Sequence, residues 1–162
     1  AHALHEHPEL RGRLASGDEG YAECFVQEVR RYYPFFPAVA ARVIQTFEWN
    51  GYRFPGGRRV LLDLYGTNQN ARTWERPEEF DPERFRRWDG SPFNFVPQGG
   101  GDHHVGHRCP GEWIAIELMN LATEFLTRRM SYEVPEQDLS ITWSRMPPVP
   151  GSRFVIRNVR AS

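Results

Sequence analysis

One cysteine stands where a glycine-rich loop gives way to the most regular helical run in the chain, and this junction constrains the fold more than any other feature. Gly99, Gly100 and Gly101 lead through Asp102, His103, His104, Val105, Gly106, His107 and Arg108 into Cys109, Pro110, Gly111 and Glu112. Residues 113–130 then place Ile114, Leu118, Leu121 or Ala122, and Phe125 on one stripe, the spacing of a helix that packs by one face. Unpaired amides at a helix start donate to a negatively charged sulfur, and the helix dipole favours the anion there. The amides of Gly111 and Glu112 are the donors expected to face Cys109. Pro110 suits the first helical position because it lacks an N–H that would need a partner. Gly111 removes bulk beside the sulfur, so that a flat cofactor can approach. A thiolate held in this way is suited to ligate haem iron.

Three other chemistries compete for the same residues. His103, His104, His107 and Cys109 are all zinc-ligand types, but four ligands within seven positions demand a very tight loop and leave the Gly and Pro placement unexplained. A cysteine nucleophile activated by a neighbouring imidazolium is a second option. A buried structural thiol is the third, and it describes Cys24 better than Cys109. Cys24 lies four residues before Glu28 on the same expected helix, with no glycine loop and no fresh helix terminus beside it. The two cysteines stand in unlike settings, and two thiols in a reducing compartment are a better reading than one disulfide.

Upstream of this junction, residues 21–33 have helical composition, with Phe25, Val29 and Tyr32 on one face and Glu28 and Arg31 on another, and Pro34 and Pro37 end the run. Residues 43–49 and 52–54 flank Asn50-Gly51, a pair suited to a tight hairpin, and Gly56-Gly57 precedes the apolar run of Val60, Leu61, Leu62 and Leu64. A small antiparallel sheet is the expected product. Residues 67–72 read as a short helix. Pro77, Pro82 and Pro92 then punctuate an irregular section that needs aromatic anchors, for which Phe80, Phe85, Trp88 and Phe93 are available. Residues 1–14 read as the middle of a helical region that continues from earlier sequence. Their His2, His5 and His7 are read as exposed residues rather than a metal site.

With 162 residues, 40% of them hydrophobic, the chain forms one modest globular unit and not several. A net charge of -1 supplies no field for nucleic acid. No stretch reaches the length of a transmembrane segment. Every basic residue apart from His is Arg, so each of these cations can make a forked contact with a carboxylate or propionate.

The motifs, taken in order, resemble the cytochrome P450 superfamily. Glu28-Val29-Arg30-Arg31 resembles the Glu-x-x-Arg signature, Pro82-Glu83-Arg84-Phe85 the later Pro-Glu-Arg-Phe element, and residues 95–111 the haem-binding loop. The common pattern has Arg two residues before the cysteine, whereas this chain has His107 and an expanded loop. The longer loop is similar to that of the fatty-acid peroxygenase branch, which uses hydrogen peroxide.

The resemblance implies an α+β chain, the C-terminal part of a mainly α-helical fold with a small antiparallel β region. Residues 1–162 would be one portion of a single domain whose distal helix and N-terminal part lie outside this chain and act as its partner. It implies haem b with Cys109 as axial ligand and metal ligand, and cofactor contacts from His107, Gly111, Gln98, Gly99, Arg58 and Arg59. It also implies an internal ion network of Glu28, Arg31 and Arg84, and substrate-lining residues Phe35, Phe36 and Val39, with Met146, Pro147, Pro148 and Val149 in a turn near the access region. Long-chain fatty acid and hydrogen peroxide are the implied substrates. The outcome is α or β hydroxylation or oxidative decarboxylation, in a cytoplasmic enzyme. The Arg that binds the substrate carboxylate belongs to the distal helix, and no Arg of this chain takes that role. A reductase-dependent monooxygenase and a noncatalytic haem-binding fragment are the competing expectations.

Overall fold

The computed structural model describes residues 1–106 and 108–162; His107, a candidate cofactor contact, lies outside the described residues. Helices α1 (His2–Glu6), α2 (Leu10–Ser16) and α3 (Tyr21–Tyr32) come first. A core of Ala3, Leu4, Leu14, Tyr21, Phe25 and Val26 joins them, with Ile116, Met119 and Leu126 packed against it from a later helix. Helix α3 ends at Tyr33, whose extended backbone leads into Pro34. Strand β1 (Ala38–Arg42) follows, then β2 (Phe47–Trp49), β3 (Tyr52–Phe54) and β4 (Arg59–Asp63).

Strand β1 pairs antiparallel with β4, and β2 with β3. The β2–β3 hairpin turns at Asn50 and Gly51, both with positive φ (49° and 74°), the conformation this pair adopts most readily. Helix α4 spans Leu64–Asn68, three residues earlier than the expected start, because the Asp63 side chain accepts from the Gly66 amide and caps it.

A 3-10 turn at Pro82–Arg86 is the one helical element of the irregular section among the described residues. Phe85, Trp88 and Phe95 cluster edge to face at centroid distances of 4.9–5.7 Å, and the Trp74 and Trp88 indoles both donate to Asn94. Phe80 packs on Phe25 and His7. Phe93, expected as an anchor, is exposed; buried Trp74 and Phe95 take that work.

Helix α5 (Glu112–Glu124) continues through a π-type turn (Phe125–Arg129) into β5 (Met130–Glu133), which pairs antiparallel with β6 (Arg157–Ala161). The apolar stripe of α5 does not face the core: Ile114 is 68% exposed, and Leu118, Leu121 and Phe125 are about half exposed. Ile116, Met119 and Leu126 pack inward instead. The terminal strand begins after Ile156, since Arg153 and Phe154 have positive φ and interrupt extension. Of the early histidines, His7 stacks on Phe80 and His2 lies against Tyr33, so packing rather than simple exposure accounts for both. No described helix is long and apolar enough to cross a membrane.

Candidate haem-thiolate site

Cys109 sits two residues before the Gly111 cap of α5, half-buried and without a disulfide partner. Its amide donates to the Gln98 carbonyl at 3.0 Å, which ties the end of the loop to its beginning. Between them, Gly99 (φ 95°) and Gly101 (φ 84°) use left-handed backbone. At Gly100 the loop passes so close to the preceding segment that an added Cβ would stand 2.7 Å from Val96 Cγ1 and 2.9 Å from the Pro92 carbonyl oxygen. Gly111 leaves space beside the sulfur, where a Cβ would be 3.8 Å from Cys109 Sγ.

The amides fall differently from the expectation. Glu112 N–H donates to the Cys109 carbonyl at 3.2 Å rather than to sulfur, and no amide donor reaches Sγ among the described residues. Pro110 lies in the turn before the cap, since the helix starts at Glu112.

A charge cluster behind this loop was missed in the sequence reading. Glu112, 1% exposed, accepts from Arg30, from Arg108 Nε and Nη2, and shares a 2.9 Å hydrogen bond with His103 Nε2. Arg30 also donates to Gln98 Oε1 at 3.0 Å, and the His103 ring stacks on Trp113 at 4.1 Å. Burial works to raise the Glu112 pKa, but the hydrogen bonds and charges of Arg108 and Arg30 outweigh it and hold the carboxyl at about 2. Burial lowers the pKa of Arg30, and Glu112 only partly opposes this. The cluster therefore stabilises less than the carboxylate alone suggests, because the guanidinium bears its own desolvation cost. The i,i+4 spacing of Arg108 and Glu112 was the available sequence signal. Arg30 could be found only once α3 and α5 were seen to pack.

Glu28 and Arg31 are both fully buried. Glu28 accepts from Arg31 Nε and Nη2 at 2.7 and 2.8 Å, from Arg84 Nε at 3.2 Å, and from the Asp81 amide at 2.8 Å. Arg31 donates onward to the carbonyls of Asn68, Pro77 and Glu79, and Arg84 to those of Glu75, Arg76 and Glu79. Two forked guanidinium groups thus occupy carbonyls that an irregular section cannot satisfy by itself. Buried Asn68 links this network to the loop, accepting from the Val96 amide at 2.8 Å.

An apolar cavity of about 390 Å³ adjoins the loop, with Phe35, Phe36, Tyr65, Gln98, Ala115 and Met119 among its walls. Phe35 and Phe36 meet edge to face at 5.0 Å. The structure thus brings two of the candidate substrate-lining residues together with Gln98. Val39 stands apart, half-exposed on β1 opposite Leu62. Arg58 and Arg59 are exposed at the start of β4, with no hydrogen bond to the cysteine loop among the described residues. The described residues hold no group of three His, Cys, Asp or Glu side chains arranged for a metal ion.

The cytochrome P450 family model matches residues 20–150. The chain belongs to the cytochrome P450 family. Among solved P450 structures, cytochrome P450SP alpha (CYP152B1) in complex with (R)-ibuprophen is 58% identical, with a TM-score of 0.90 over 98% of this chain and 39% of that one. Cytochrome P450EX alpha (CYP152N1) with myristic acid is 48% identical, with a TM-score of 0.89 over 99% of this chain and 39% of that one. Among curated P450 relatives, taxane 10-beta-hydroxylase of Taxus cuspidata is 32% identical across 82% of this chain and 26% of the relative. Cytochrome P450 26A1 of Danio rerio is 34% identical across 69% and 23%. The chain spans about a quarter of these curated relatives and 39% of the similar solved structures.

Proposed function

We propose that this chain is the C-terminal, proximal part of a single P450 domain that uses hydrogen peroxide to hydroxylate or decarboxylate long-chain fatty acids. The observation that carries the reading is the apolar cavity whose walls join Phe35 and Phe36 to Gln98, the residue whose carbonyl holds the Cys109 amide. Its apolar walls suit an alkyl chain, and Gln98 ties them to the Cys109 backbone. The likeness to P450EX alpha solved with myristic acid supports the fatty-acid class.

The residues present fit a haem. Cys109 is an unpaired, half-buried thiol, and the position beside it carries no side chain to block a flat ring. Cys109 would hold the iron, Gln98, Gly99 and Gly111 would contact the cofactor, and His107, Arg58 and Arg59 are the candidate partners for its propionates. Bound there, haem would supply peroxide activation and oxygen delivery to a C–H bond, chemistry that a thiolate ligand favours by donating electron density. Phe35 and Phe36 would orient the alkyl chain and exclude water from it.

A reductase-dependent monooxygenase is the second reading, kept because the relatives also include a hydroxylase of another substrate class, taxane 10-beta-hydroxylase. Haem-loaded enzyme containing this chain is given a long-chain fatty acid with hydrogen peroxide alone, and separately with NAD(P)H and redox partners. The peroxygenase reading expects oxidised product with peroxide alone. Product only with the reductase system selects the monooxygenase, and product in neither arm supports the noncatalytic fragment.

A further inference from the structure

The interactions around Cys109 close into a ring. The Cys109 amide is held by Gln98 O, the Gln98 side chain by Arg30, and Arg30 by Glu112, which lies three residues beyond Cys109 along the chain. Arg108, immediately before the cysteine, reaches across it to the same carboxylate with two nitrogens. The backbone on both sides of the sulfur is therefore fixed to one buried acid. Nothing in the proposed reaction uses that acid, and a carboxylate 1% exposed is retained here only because several donors meet it.

We propose that Glu112 is a positioning residue for Cys109, and that the charge balance of Glu112 against Arg30 and Arg108 sets how readily the bound haem accepts an electron. The inference rests on Cys109 being the axial ligand. Two guanidinium groups face one carboxylate, leaving an excess positive charge within a few residues of Cys109 along the chain. Positive charge favours the reduced, more negative iron centre. Neutralising Glu112 strengthens that bias, and neutralising Arg108 weakens it. Three residues of chain span at most about 11 Å. A unit charge at about 10 Å and an effective dielectric of about 20 changes an equilibrium by roughly tenfold.

The test is a reductive titration of the haem-loaded protein with dithionite, together with the absorption spectrum of its reduced carbon-monoxide complex. Wild type is compared with Glu112→Gln, Glu112→Asp and Arg108→Gln. Glu112→Gln is expected to shift the one-electron equilibrium about tenfold toward the reduced form, or ~59 mV. Arg108→Gln is expected to shift it the other way, and Glu112→Asp to lie between wild type and Glu112→Gln. A purely structural role would move Glu112→Gln and Arg108→Gln in the same direction, and that result, or no shift in either, overturns the inference. If Glu112→Gln does not retain haem, Arg108→Gln and Glu112→Asp decide the matter, and an unchanged or raised potential in Arg108→Gln overturns it. A wild-type protein lacking the thiolate-type band instead refutes the axial assignment itself.

Discussion

Replacing Glu28 with alanine removes the acceptor at the centre of the buried network while leaving its donors in place. Arg31 loses both carboxylate contacts, and the Arg84 Nε and the Asp81 amide lose theirs. Arg31 has no exposure through which water can replace the lost charge. Breaking a buried pair by deleting one partner costs about 3–5 kcal/mol, because the remaining charge is left uncompensated. Whole domains are stable by only ~5–15 kcal/mol. Glu28→Ala should therefore lower soluble yield and haem retention, and shift the urea unfolding midpoint of the haem-loaded protein by the amount that free energy implies. Arg31→Met offers no rescue, since the carbonyls of Asn68 and Pro77 then lose their donor and that of Glu79 keeps only Arg84. A loss below about 1 kcal/mol with normal haem retention would show that solvent reaches Arg31, and would refute the reasoning.

Acid should expose the second cluster. The Glu112 carboxyl titrates at about 2 when folded against an ordinary 4.5, so its stabilisation is fully present above pH 4.5 and disappears as pH falls toward 2. That difference is worth at most about 3 kcal/mol; urea midpoints at pH 6 and pH 3 should fall further for wild type than for Glu112→Gln, and parallel losses would contradict it. Gly100→Ala forces a methyl against Val96 Cγ1 and the Pro92 carbonyl, and should cost about 1–3 kcal/mol in thermal unfolding; an unchanged melting temperature would mean the loop can move aside.

The sequence was most legible where chemistry and backbone demand coincide. The Asn50-Gly51 hairpin, the end of α3 before Pro34 and the cysteine at a loop-to-helix junction each depend on residue types with few alternative uses. Periodicity failed on α5, because a stripe reports which residues are apolar and not what covers them: Ile114 and Leu118 are exposed, while Ile116 and Met119 pack inward. Aromatic composition found Phe85 and Trp88 but could not separate exposed Phe93 from buried Phe95, since neither lies on a periodic element. The Glu112 cluster was hidden for a different reason. Its partners Arg30 and Glu112 are 82 residues apart, and only the packing of α3 on α5 brings them together.

The most direct test of the account is the reduced carbon-monoxide spectrum of the haem-loaded protein with Cys109→Ser and Cys24→Ser measured side by side. Cys24 is buried in the α3 face, where burial raises its pKa and packing accounts for it. The account predicts that Cys109→Ser abolishes the thiolate-type band and fatty-acid oxidation, even if some haem remains, whereas Cys24→Ser keeps both. A thiolate band and turnover that survive in Cys109→Ser would contradict the assignment of Cys109 as the iron ligand.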